Sequence, residues 1–408
     1  MLTLVMATKR LWLMKEVLIR MVFNSKITTT VVFIKTGIIL SMLVLFSACS
    51  KSKQSGNQPK YNLEQSSFSI EHGDKIISNR SMFTKLIGED SLLYYEQRDR
   101  NFYLFDLKNR VLKDFLQFET DGPNFMENQV LDFERVGDQY AILSPNYISF
   151  SDKNGQILKR KEINQFLNNV EDATVSRINN FKALNENELY LSQSPRAVIM
   201  PFKYSEASQT PIFAIYHVNK DSLAHLPIYS PEETLIKDDT RGFYGTTSQH
   251  FFILKNNSII FNFQFSPSIY RYSLKSKQLT QFDGKTTRFP ETTEPFPANK
   301  YRDQQYLVKH MLRNGTRFSN IEYYAENGIY IRYASRKTFN EELKRSNYEL
   351  YLQIFDSEFN NIIEQEVLMT GKAEVYLSNG SIYMIGASSA YTEEDATKFT
   401  KFDLRKIK

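Results

Sequence analysis

Recurring pairs of short apolar runs, each second run closed by Asp, Asn or Ser, predict an all-β chain folded as a six-bladed β-propeller. Two further observations support that class. After Lys60 no segment keeps a 3.6-residue apolar period, short pieces near Lys161–Asn169 and Tyr301–Arg313 excepted. The closing residues Asp106, Asp152, Asn219, Ser273, Asp356 and Asp403 recur at intervals of 46 to 83 residues. The shorter intervals match a four-stranded blade of roughly 40–50 residues, and the longer ones imply inserted loops. A pair of β-sandwiches would explain the strands but not the repeated unit.

The first element is a leader. Thr36–Ala48 is a 13-residue apolar run preceded by Lys26 and Lys35. As a helix it would reach about 20 Å, short of a hydrocarbon core of about 30 Å, so it reads as an export signal and not as a membrane span. Leu45-Phe46-Ser47-Ala48-Cys49 resembles a bacterial lipobox, with Phe46 where Leu is usual. The resemblance implies a diacylglyceryl thioether on Cys49, the chain's single cysteine, and cleavage before it. Residues 1–48 are then a signal peptide, with Met21 as an alternative start. Residues 49–60 are the lipidated Cys and a polar, flexible tether, and 61–408 form the propeller. With Cys49 acylated, disulfides, Cys-ligated zinc and a cysteine nucleophile are excluded from the folded part.

Charge divides at the same place. Residues 1–48 hold six of the 51 Lys and Arg and one of the 46 Asp and Glu, leaving 45 of each sign beyond. The basic balance therefore belongs to the leader, and a nucleic-acid-binding surface loses its compositional support.

The remaining elements follow in order. Ser67–Ile70 is the candidate for an N-terminal strand that closes the last blade and hides the ring's edges. The six units are Leu92–Tyr95 with Phe102–Asp106, Tyr140–Leu143 with Tyr147–Phe150, and Glu188–Leu191 with Ile212–Tyr216. Ser258–Phe261 with Ile269–Ser273, Gly328–Ile331 with Leu350–Asp356, and Ser381–Ile385 with Phe399–Asp403 complete them. An Asp, Asn or Ser after a second strand starts a turn by binding nearby backbone, which makes these residues structural and not catalytic.

Several passages resemble an uncharacterised family of Bacteroidota lipoproteins with a TolB-like six-bladed propeller. Asp121-Gly-Pro-Asn124, running into the second unit, is similar to its Gly-Pro-Asn turn. Asn320–Tyr324 with Ile329–Tyr333 is similar to its tyrosine-rich strand, and Ile354–Asn360 to its late blade. The resemblance implies fold and compartment, and no reaction.

Candidate chemistry is sparse. His72, His217, His225, His250 and His310 form no metal-spaced pair, and no nucleophile elbow, P-loop or dinucleotide fingerprint is present. No metal and no cofactor is expected. Asp238-Asp239 and Glu393-Glu394-Asp395 read as solvated loop charge, although paired carboxylates are also what a glycosidase uses. The long excursion from Phe282 to Arg313, with its Pro-rich Phe289–Pro297 stretch, is the expected recognition surface and contributes His310 and Arg313. Arg332, inside an apolar strand, either pairs between blades or points into the axial channel. Tyr324 and Tyr330 beside it offer rigid amphipathic area for a ligand. The expected protein is a binding scaffold held in the cell envelope by its lipid, facing the periplasm. Its expected partners are the membrane and an envelope protein or small ligand, with no nucleic acid. The alternative is a glycan-acting hydrolase or lyase with its site in the propeller funnel.

Overall fold

Aromatic and β-branched residues alternating with polar ones, bounded by Asx and glycine turns, form β-strands throughout the computed structural model. It describes residues 60–75, 77, 83–87, 90–163, 175–195, 210–231, 250–288, 316–325, 328–340, 345–367, 373–378, 381–386 and 396–407. Every complete element among them is a strand, and together they make a β-propeller arrangement of six antiparallel sheets.

The first described strand is β1 (Lys60–Glu71). Sheet one is β2 (Phe83–Leu86), β3 (Ser91–Glu96), β4 (Asn101–Asp106) and β5 (Val111–Gln117). Sheet two is β6 (Asp132–Val136), β7 (Gln139–Leu143), β8 (Tyr147–Ser151) and β9 (Ile157–Glu162). Sheet three is β10 (Val175–Asn185), β11 (Glu188–Pro195), β12 (Phe213–His217) and β13 (Ser222–His225). Sheet four is β14 (His250–Lys255), β15 (Ser258–Phe263), β16 (Ile269–Ser273) and β17 (Leu279–Phe282). In sheet five β18 (Thr316–Phe318) and β19 (Glu322–Tyr324) both pair with β20 (Ile329–Asn340), followed by β21 (Arg345–Phe355) and β22 (Asn361–Val367). Sheet six is β23 (Ala373–Ser378), β24 (Ser381–Gly386) and β25 (Ala396–Ile407), with β1 as its fourth strand.

First strands lie against first strands. β2 meets β6, β6 meets β10, β10 meets β14, β19 meets β23, and β23 returns to β2. They are therefore the axial strands, and apolar clusters fill the spaces between sheets. One such cluster joins Ala141, Leu143 and Phe150 of sheet two to Phe181, Leu191 and Tyr216 of sheet three. Another joins Ile260 and Ile269 of sheet four to Ile321, Tyr330 and Phe355 of sheet five.

The expected units are the second and third strands of each sheet. The axial first strands do not appear among them; β2 and β19 have only four and three residues and carry charge. Ser67–Ile70 lies within β1, whose Phe68 stacks on Phe399 of β25 at 5.3 Å. His72 meets the Thr397 hydroxyl at 2.8 Å, so β1 runs antiparallel to β25. Asp152 and Asp356 start turns as expected: Asp152 accepts the Asn154 and Gln156 amides, and Asp356 those of Glu358 and Asn360, at 2.8–2.9 Å. Two other closing residues need correction. Asn219 donates to the side chain of Asn187 across a neighbouring turn. Asp403 lies inside β25 and binds Ser381 and Lys401, because the next strand, β1, comes from the far end of the chain.

Topology makes the two ends of the ring unlike. Turns from first to second strands and from third to fourth strands contain two to five residues. The opposite end carries the longer connections, among them 118–131, 196–212, 226–249 and 283–315. We call these ends the turn face and the loop face.

Candidate functional site

Axial strands have one edge without a sheet partner, and their inward residues must either be small or find partners across the axis. Four of them supply charge. Lys85 on β2 reaches Asp132 at 2.6 Å and Glu134 at 2.7 Å, both on β6. Lys182 on β10 lies 3.4 Å from the same Glu134. Glu322 on β19 accepts a hydrogen bond from Asn320 and feels both lysines. Asp132 also accepts the Phe181 backbone amide at 2.8 Å, satisfying a donor on the free edge of β10. Spacing explains the convergence: Asp132 and Glu134 are two apart on one strand and share a face.

Electrostatics divide these groups. Burial pushes Glu134 up, but Lys85 and Lys182 outweigh it and hold the carboxyl below its ordinary value. For Lys182 burial works against the charged form, and the carboxylates of Glu134, Glu322 and Asp132 reverse it, raising the ammonium. Burial raises Glu322, and the two lysines only partly oppose that. Asp132 and Glu134 thus balance Lys85 and Lys182, and Glu322 is the remaining acid.

A second polar group lies toward the loop face of sheet three. Ser192 contacts His250 Nε2 at 2.9 Å, and Gln193 Nε2 contacts His225 Nδ1 at 3.0 Å. Burial lowers His225, favouring neutral imidazole. Gln193 Oε1 and His225 Nε2 are buried and have no hydrogen-bond partner among the described residues. Among the described residues no three His, Cys, Asp or Glu side chains are arranged to hold a metal ion.

Of the sequence-derived binding candidates, Arg332, Tyr330 and Tyr324 lie among the described residues, and all three are buried. Arg332 on β20 is 2% exposed and makes no ion pair among the described residues. It donates to Gln353 Oε1 at 2.9 Å, to the Pro267 carbonyl at 2.7 Å and to the Gly284 carbonyl. Phe318 and Phe355 sandwich its guanidinium, at 4.4 and 5.4 Å from the ring centroids. Burial lowers it to about 9, against Asp283 and Glu364. It joins sheet five to the start of the 283–315 connection, and the expected ion pair is replaced by backbone carbonyls. Tyr330 packs on Phe359 at 4.5 Å and on Tyr323 at 5.0 Å, and Tyr324 is likewise buried core. The expected helical piece at 161–169 is corrected at its start, where Lys161 and Glu162 belong to strand β9, and Lys60 of the expected tether belongs to β1. His310, Arg313, Cys49, the leader, the rest of the tether, Asp238-Asp239, Glu393–Asp395, residues 164–169 and the expected helical piece at 301–313 lie outside the described residues. Sequence reasoning missed the axial charges entirely. Alternating Asp132-Phe133-Glu134 was the available signal.

The comparisons with known proteins agree with this architecture. A family model described as a domain of unknown function, DUF4221, matches residues 60–366. The chain belongs to the DUF4221 family. A crystal structure of a DUF4221 member from Bacteroides vulgatus superposes with a TM-score of 0.67 at 16% identity, covering 86% of this chain and all of that one. A Bacteroides fragilis protein described as exported superposes with a TM-score of 0.50 at 12% identity, covering 84% of this chain and 96% of that one. Identities this low show a shared fold alone. No curated protein matches the chain. No helix among the described residues of this DUF4221 chain is long and apolar enough to cross a membrane.

Proposed function

We propose that this DUF4221 protein is a lipid-anchored, six-bladed propeller of the cell envelope that binds an envelope protein or small ligand on its loop face. The observation behind this reading is the contrast between the two ends: connections of two to five residues at one, connections of up to 33 residues at the other. A rigid ring that tolerates long excursions on one side only is a scaffold for recognition. Six blades are supported by the six sheets and by the return of β23 to β2. An envelope location is supported by the leader and lipobox and by the exported relative.

The test is crosslinking in intact cells with a tag after Lys408. One envelope protein recovered in near-stoichiometric amount, and lost on removal of Glu291–Arg313, is the expected result. Recovery of the tagged chain alone would sink the reading. Anchoring is read separately: Cys49→Ser should move the protein from the membrane to the soluble fraction.

One observation favours a second reading, a glycan-acting hydrolase. Glu322 is raised while Glu134 is lowered, and carboxyls pushed apart in this way can serve as acid and base. Binding is preferred because both lysines already engage Glu134. Glycan turnover abolished by Glu322→Gln would reverse the preference.

A further inference from the structure

We infer that the rim of the turn face on sheets one to four rests on an anionic lipid surface, the membrane that holds the acyl chains of Cys49. This rests on the lipoprotein reading and adds an orientation and a lipid contact to it.

The first argument is where the chain enters the ring. Because β1 runs antiparallel to β25, Lys60 starts at the turn face, where β25 ends. Residues 50–59 separate it from Cys49, and ten residues reach at most about 35 Å. A lipid anchor on Cys49 would therefore join the ring from the turn face.

The second argument is the chemistry of the turns after the third strands. Lys108, Lys220, Lys275 and Lys277 are exposed there, and none has a carboxylate partner among the described residues. Acids of the same turns are paired instead, and in sheet two the turn lysine, Lys153, is itself paired with Asp138 at 3.0 Å. Asp106 is held by Lys113 at 2.7 Å and by Asn109, and Asp221 by Lys161 at 2.9 Å and the Tyr216 hydroxyl at 2.6 Å. On sheets one, three and four the turns therefore leave lysines as their unpaired charges among the described residues. Directly after them come exposed apolar side chains: Val111 is 40% exposed, Leu158 51% and Leu279 45%. Exposed apolar groups interleaved with unpaired lysines suit the headgroup boundary of an anionic bilayer. Sheet five differs: its turn, Asp356-Ser-Glu-Phe-Asn360, has no base. Asp138 and Glu186 occupy turns that begin at axial strands, and Asp138 is paired with Lys153 of the rim turn at 3.0 Å.

The test uses the full chain, acylated in cells and reconstituted in phosphatidylcholine vesicles containing phosphatidylglycerol. Leu158→Cys, Leu279→Cys and a loop-face control, Arg98→Cys, each receive an environment-sensitive fluorophore, and brominated lipid tails are the quencher. Quenching at least twofold stronger at 158 and 279 than at 98, reduced by Lys275→Glu with Lys277→Glu and by high salt, is expected. Equal quenching at all three positions overturns the inference. Anchoring is read independently, since Cys49 is the only native thiol: labelling of the unsubstituted chain would show it free. A free Cys49 with strong quenching at 158 and 279 would leave the lipid contact standing and remove the anchor. A free Cys49 without it would remove both.

Discussion

The axial carboxyls give opposite pH signatures from one cluster. Glu134 has a folded value below the ordinary 4.5, so its contribution is present above that pH and is lost as pH falls through the lower folded value. Glu134→Gln should therefore be destabilising at pH 7, with the deficit shrinking as acid is added. Glu322 behaves oppositely: its raised carboxyl favours the folded state below 4.5, and that contribution disappears as pH climbs through the folded value. Glu322→Gln should match the parent at pH 4 and exceed it at pH 7, as urea denaturation at several pH values would read. Arg332 illustrates a buried cation held by backbone carbonyls, with no ion pair among the described residues. Arg332→Met strands the Gly284 and Pro267 carbonyls, and a loss of about 2–4 kcal/mol is expected, with Lys unable to restore the fork of donors. Gly284 is constrained by the same contact, since a Cβ there would meet the Pro267 carbonyl and Arg332 Nη2. Gly284→Ala should cost about 1–3 kcal/mol by crowding.

Among the elements, β1 has the most consequence for its length. It covers β25 and supplies Phe68, packed edge-on against Tyr383 at 6.3 Å and stacked on Phe399. Phe68→Ala removes a half-buried ring at the seam, and a loss of about 2 kcal/mol is expected from denaturant titration. Removing residues 61–71 altogether would uncover the edge of β25, and aggregation in light scattering is the expected outcome. Second and third strands were legible in the sequence because burial on both sides writes continuous apolar runs such as Leu92–Tyr95 and Ile259–Phe261. First strands were not. Phe83-Thr-Lys-Leu86 and Glu322-Tyr-Tyr324 are too short and too charged to stand out from loops, and only their neighbours across the axis make those charges tolerable.

At the scale of the whole molecule, closure lets the loop face vary without loss of the ring. Removal of Glu291–Arg313 should shift stability by no more than about 1 kcal/mol, since loop-closure entropy changes slowly with length. A larger loss would mean that the excursion belongs to the core.

The sequence by itself determined the strand class, the repeat and the start of most turns, because alternation, aromatic runs and Asx chemistry are local. It also located the single cysteine behind an apolar run, where the lipoprotein proposal begins. Tertiary structure decided what those elements enclose. Lys85, Asp132, Glu134, Lys182 and Glu322 lie on four strands separated by as many as 237 residues of chain, and only the ring brings them together. It also decided that Arg332 faces carbonyls of another sheet and that every long connection leaves from the same end. These are properties of strand order and direction, which no local pattern of residues encodes.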